Sequence, residues 1–183
     1  MAMTITEREE HWRGWLDTIK QDITTVYLWR ATWLAVGDMV RANSEIPPSH
    51  FWAYMSNTYG TSQAIAVRRL ADNDRRVVSL VTLIKDLRKH ALEITSDWWL
   101  TLQPGADIRE FARFQEATTN HFDPAIASQD LERLRDAVAR VKKYVGHHLA
   151  HYDQNPTREI PTFREMHAHS IRLGRSSAST TCY

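Results

Sequence analysis

The chain has 183 residues, 43% of them hydrophobic, enough to bury one real core and to place it among globular rather than disordered sequences. With 23 Lys+Arg against 22 Asp+Glu its formal charge is +1, so no net field holds a polyanion and any nucleic-acid contact must rest on a local basic patch. Six glycines and six prolines favour long helices, and a single cysteine, Cys182, excludes an intramolecular disulfide or a thiolate metal cluster and suits a reducing compartment. The opening MAMTITEREEHWRGW is too charged for a signal peptide, and no apolar run approaches a membrane span. A cytoplasmic protein without a membrane partner is expected.

A first helix is predicted from about Thr6 to Ala42, opened by the capping-box pattern Thr6-x-x-Glu9. Trp12, Leu16, Ile19, Ile23, Val26, Trp33 and Gly37 recur at spacings of three and four, apart from one longer gap, and line one face. Arg30 fills that gap within the apolar stripe, where a guanidinium needs a partner. SEIPPSHF is a break, and Ser49 can cap a second helix to about Asp72, with Phe51, Met55, Tyr59, Ser62, Ala66 and Arg69 on one face. After the polar turn ADNDRR, a third helix carries Leu80, Leu83, Leu87, Ala91 and Ile94, with Ser79 as its cap.

SDWWLTLQPGAD reads as a loop or short helical piece broken at Pro104-Gly105, and Asp107 to Thr119 as a short helix with Ile108, Phe111 and Phe114. A fifth long helix begins near Ser128. Its stripe is Leu131, Leu134, Val138, Val141, Val145, His148 or Leu149, and Tyr152, close to a heptad seam, and Pro156 stops it. Pro161-Thr162-Phe163-Arg164-Glu165 is a second capping box, opening a last helix to about Leu173. No repeat and no clean strand alternation interrupts this pattern. The fold is expected to be all-α, an antiparallel helical bundle of about five to six helices: one domain over residues 1–175 and a flexible polar tail over 176–183.

The chemistry concentrates in YVGHHLAHYDQNP, Tyr144 to Pro156. At roughly 100° per residue, Arg133, Arg140, His147 and His151 share a narrow arc, flanked by Asp136 and Lys143 and opposite the Leu/Val stripe. His148 borders the stripe instead. His147 and His151, one turn apart, could share a metal ion, but a third ligand would have to come from Asp153, His121, His167, His169 or elsewhere. Neither a zinc-protease helix nor a Glu-x-x-His pair is present, so no metal and no cofactor is assigned. An acid–base pair asks less: histidine can take a proton from a ribose hydroxyl or give one to a leaving oxygen, and Arg140 or Lys143 would stabilise the phosphate. A plain solvated helix face is the competing reading. Arg30, Arg69 and Asp72 are candidates for a buried polar network, which would fix helix register or hold a phosphate. Trp98-Trp99 serve either packing or base stacking, and His167 and His169, two apart on a short helix, point to different sides.

VGHHLAHYD, after a long helix and before a proline-containing break, resembles the AH-x-D segment of HEPN proteins, helical bundles named for higher-eukaryote and prokaryote nucleotide binding. AIAVRRLADNDRRVVSLVTLIKDL, Ala64 to Leu87, is similar to the middle of the abortive-infection branch, where an Arg-x-x-Asp turn precedes a Ser-Leu-x-x-Leu helix. The resemblance spans Trp12 to Leu173. It implies a homodimer, an RNA substrate cut without metal, and a toxin role in phage defence or a toxin–antitoxin system, with an antitoxin or other protein partner. Active members carry an arginine, a short spacer and a histidine, and two protomers pair these motifs across a cleft. The motif histidine falls on His151, yet Tyr144, Val145 and Gly146 stand where the arginine is due. Arg140 fits that spacing only if His147 is the motif histidine, and the Leu-Ala-His-Tyr-Asp match is then lost. The implied catalytic set is His151 as acid or base, His147 as its partner or an RNA contact, Arg140 or Lys143 on phosphate, and Asp153 orienting a histidine. The alternative is a non-catalytic HEPN-like bundle that binds a nucleotide, an RNA or a protein partner.

Overall fold

The computed structural model describes residues 3–47, 49–102, 107–116, 118–150 and 161–162. Six α-helices follow one another: α1 (Ile5–Ala42), α2 (His50–Leu70), α3 (Leu80–Lys89), α4 (Ser96–Leu102), α5 (Ile108–Phe111) and α6 (Pro124–Tyr144), which runs on as a π-helical turn, Val145–Ala150. No strand occurs among the described residues, only the isolated bridges Thr95–His121 and Gln115–Phe122. The all-α bundle expected from the sequence is the fold. No described helix is long and apolar enough to cross a membrane.

Local chemistry sets the helix starts. Thr4 rather than Thr6 opens α1: its hydroxyl accepts from the Glu7 amide at 3.3 Å, and Glu7 Oε2 accepts from the Thr4 amide at 2.8 Å. Ser79 opens α3 through the same reciprocal pairing with Thr82, and its hydroxyl also donates to the Asp72 carbonyl at 2.7 Å, closing the α2–α3 turn. Asp123 caps α6, accepting from the Ala125 amide at 2.8 Å with Pro124 in the first turn, so this helix begins ahead of Ser128. The helix expected from Asp107 to Thr119 stops at Phe111, because the chain turns to form the paired bridges instead. There Phe122 donates to the Ile94 carbonyl at 2.9 Å and Ser96 to the Asn120 carbonyl at 3.0 Å. Pro161 and Thr162, at the start of the predicted last helix, are not helical, and the rest of that helix and the tail lie outside the described residues.

The core sits where α6 packs on α3 and α2, and α1 closes the other side. Trp12, Leu16, Ile19, Ile23 and Val26 of α1 are buried, as are Leu80, Leu83 and Leu87 of α3 and the stripe from Leu131 to Val145; Ala91 and Ile94, expected on the third helix, are buried just beyond its end at Lys89, in and after a 3-10 turn. The α2 face differs from the one read in the sequence. Gln63, Ala64, Val67 and Leu70 are buried, whereas Phe51 and Arg69 are exposed. This helix serves two neighbours, and the Tyr59 side meets α1 while the Val67 side enters the core.

Beyond Val26 no α1 residue is buried, and none of α2 before Gln63. These halves form a two-helix arm, roughly 24 Å long at 1.5 Å per residue. The ring of Trp33 stacks on Tyr59 within it, at 4.8 Å and 10°. Burial pushes the Tyr59 phenol up to about 12, with the Arg30 charge opposing. Leu28, Trp29, Leu34, Met39, Phe51 and Tyr54 remain exposed along this arm.

At the opposite end a charged cluster ties α1 to α3. Trp12 Nε1 donates to Asp86 Oδ2 at 2.8 Å, and Arg8 lies 3.7 Å from Asp86 and 3.5 Å from Glu93. His90 Nδ1 meets Glu93 Oε1 at 2.7 Å, and Nε2 is 3.7 Å from Asp86. The His90 hydrogen bond, with Arg8 nearby, holds the Glu93 carboxyl below the usual glutamate value of 4.5 against the opposing effect of burial. A depressed carboxyl stabilises the fold above its unfolded pKa and loses that contribution as pH falls through the folded one.

Leu83→Ala, at a fully buried site, is expected to lower unfolding stability in urea by about 2–5 kcal/mol. Leu92→Ala, at an exposed site away from the arm, should change it by no more than about 0.5 kcal/mol. In thermal melts against pH, the wild type should keep its full advantage over Glu93→Gln at about pH 6 and lose it progressively below the ordinary glutamate value. A constant difference down to strong acid would contradict the Glu93 assignment.

Candidate functional site

The last turns of α6 carry the residues singled out by the sequence. Leu131, Leu134, Val138, Val141 and Val145 are buried, which turns the opposite face of the helix outward. Arg140 and Lys143 are exposed on that outer face, and His147 is half-buried just beyond them. Arg133, earlier on the same ridge, is held by Asp130 at 3.1 Å. Lys142 points elsewhere and donates to the Ala71 carbonyl at 3.0 Å, satisfying an acceptor at the end of α2 and complementing its dipole.

From Val145 the helix widens into the π turn, which packs against α2. Gly146 weakens α-helical preference there, while Val145 is buried and Leu149 packs against the core. Successive α-turns carry a four-residue stripe steadily around the axis, and one wider turn compensates, keeping Val145 and Leu149 over the same apolar face. The same widening leaves His147 and His148 half-buried at the rim. The His148 ring lies against Tyr144 at 5.2 Å and 34°, consistent with its position beside the apolar stripe.

His151 and Asp153 of the expected set lie outside the described residues, as do His167 and His169. Arg140, Lys143 and His147 are therefore the described part of the site. They offer a cationic surface next to an imidazole, the groups needed to bind a phosphodiester and move a proton at it. No cation occupies positions 144–146: Tyr144 is half-buried, Val145 is buried, and Gly146 has open space where a Cβ would stand.

Arg30, Arg69 and Asp72 do not form one network. Arg69 is exposed and pairs with Asp22, Arg30 lies in the arm beside Tyr59, and Asp72 Oδ1 accepts from the Asp74 amide at 2.9 Å. Arg30 reads as inward because it fills the gap in the α1 stripe, and Arg69 because α2 is given a single face; the second packing partner of α2 turns Arg69 out. Trp99 is buried and Trp98 packs edge-on against Trp12 at 6.1 Å, so this pair is structural. His121 sits in the bridged loop before α6, and among the described residues no three His, Cys, Asp or Glu side chains gather closely enough for a metal ion. The sequence reading missed the cluster of Arg8, Asp86, His90 and Glu93. Its only local trace is the spacing of Asp86, His90 and Glu93 by four and three, which puts them on one side of a helical stretch.

The model of an HEPN family described as AbiU2 matches residues 9–167 of the chain. No curated protein and no solved structure matches the chain. The aligned region takes in the buried helical core, the α2–α3 turn and the whole of the histidine segment. With most of its length covered and its helices in the expected order, the chain belongs to the HEPN AbiU2 family.

Proposed function

We propose that this member of an abortive-infection HEPN family is a metal-independent RNA endonuclease that acts as a toxin in phage defence or a toxin–antitoxin system. The observation that carries the reading is the outward ridge at the end of α6, where exposed Arg140 and Lys143 lead to His147 at the start of the matched histidine segment. In the reaction a histidine base removes the proton of a ribose 2′-hydroxyl, and that oxygen attacks the adjacent phosphorus. A protonated histidine gives its proton to the departing 5′-oxygen, leaving a 2′,3′-cyclic phosphate and a 5′-hydroxyl. His147 and His151 share these two roles, Arg140 and Lys143 stabilise the charge developing on the phosphate oxygens, and Asp153 orients a histidine.

A second reading, a non-catalytic bundle that holds a nucleotide, an RNA or a protein partner, draws support from the lack of an arginine at positions 144–146. The two readings separate in one assay. Purified protein incubated with varied RNAs in EDTA should release fragments ending in cyclic phosphate, and His147→Ala or His151→Ala should slow cleavage by about 100-fold or more. Unaltered cleavage in both variants, or none by the wild type, removes the nuclease reading; stoichiometric RNA or nucleotide binding without turnover then favours the second.

Gly146→Arg supplies a cation where the family motif has one, at a position with space for the new Cβ. It should raise the cleavage rate, and a loss of rate at unchanged folding would place the working cation elsewhere. A second copy of the chain is the partner we propose for the apolar arm, through exposed Trp29 and Leu34. Light scattering should report a dimer for the wild type and a monomer for Trp29→Asp/Leu34→Asp; a wild-type monomer would count against it.

A further inference from the structure

A cavity of about 360 Å³ opens between α3 and α6, lined on a different side of α6 from the Arg140 ridge. Lys85 and Arg88 reach it from α3, and Arg135 and Lys142 from α6, against a single carboxylate, Glu132. Its floor includes Val81, Leu131 and Val138, side chains already packed into the core, so the cavity offers charge more than fresh apolar surface. In a chain whose formal charge is +1, this is a pronounced local excess of cations.

The pairing of these cations sets them apart from much of the molecule. Seven other arginines, Arg8 and Arg133 among them, form ion pairs with carboxylates. None of the four cavity cations has an ion pair among the described residues. Three of them donate to neutral oxygens: Lys85 to the Asn73 side chain, Arg88 to Ser128 Oγ at 3.4 Å, and Lys142 to the Ala71 carbonyl at 3.0 Å. Like charges gathered round one concavity raise one another's energy until an anion enters. Two guanidiniums facing from different helices match the paired oxygens of phosphate groups.

We infer that this α3–α6 cavity binds a small anion of linked phosphates, read by its charge and not by any attached base. More than one phosphate is needed to engage cations from both walls. No aromatic side chain lines the cavity among the described residues, so nothing there stacks on a base. The inference does not depend on nuclease activity, since it concerns another face of α6 and is read by binding alone.

Isothermal titration of the full chain at fixed ionic strength tests it, with tripolyphosphate, orthophosphate, sulfate, ATP and a short non-cleavable RNA as probes. Tripolyphosphate should bind saturably at one per chain, with orthophosphate and sulfate weaker by roughly tenfold or more. Equal affinity for ATP and tripolyphosphate assigns the site to the phosphate chain, whichever molecule carries it. Arg88→Gln/Arg135→Gln, at exposed positions that leave the core intact, should weaken tripolyphosphate by roughly tenfold with an unchanged melt in its absence. Arg68→Gln, on an exposed arginine outside the cavity lining, should leave it unaltered. Non-saturating heats, equal binding by the double variant, or ATP far tighter than tripolyphosphate would overturn the inference. So would an RNA that displaces tripolyphosphate and binds more tightly, since that makes the cavity an RNA track.

Discussion

The apolar seam of α6 orients both the Arg140 ridge and the α3–α6 cavity. Burying side chains such as Leu134, Val138, Val141 and Val145 against α3 and α2 is worth roughly 1.5–3 kcal/mol apiece, as an upper estimate. The exposed ion pairs along the helix surface contribute at most about 1 kcal/mol each. The seam therefore decides how the helix is rotated, and the charges take the directions left to them. Arg140 and Lys143 face out, Lys142 meets the end of α2, and Arg135 turns toward α3.

Burial likewise divides the described helices into a cored end and an arm. Around α3 each helix has apolar neighbours on more than one side, and the Arg8, Asp86, His90 and Glu93 cluster fastens α1 across it. Past Val26 and before Gln63 no described residue of α1 or α2 is buried, and the two helices meet through contacts such as the Trp33–Tyr59 stack. Large apolar side chains left outside on this arm mark a surface suited to a partner.

The sequence carried the fold because the strongest signals were periodic. The stripes were legible in α1 as far as Val26, in α3 as far as Leu87 and in α6, since there each helix buries mainly one face, whereas Trp33 and Gly37 fall past the core and Ala91 and Ile94 past the end of α3. The α2 face was not, because a helix between two neighbours shows two overlapping stripes, and Arg69 falls inward on one and outward on the other. Capping moved by two residues at α1 because Thr4-x-x-Glu7 and Thr6-x-x-Glu9 are both well formed in sequence, and only the hydrogen bonds choose between them. At the site, the outward ridge followed from rotation and could be read, as could the place of His148 beside the stripe. The π turn could not, because it answers to the need to keep Leu149 on the core after Gly146. The cluster around His90 was equally hidden, since Arg8 joins it from far along the chain.

We propose that the outward end of α6 is where this HEPN AbiU2 family member meets RNA. Side-chain NMR of labelled protein titrated with a 2′-O-methyl RNA, which cannot be cut, tests it most directly. Saturable shifts are expected in the His147 ring and the Arg140 guanidinium, with the Tyr59 and Trp33 signals of the arm unmoved. Shifts confined to the arm or to Arg88 and Arg135, or none at saturating RNA, would contradict it.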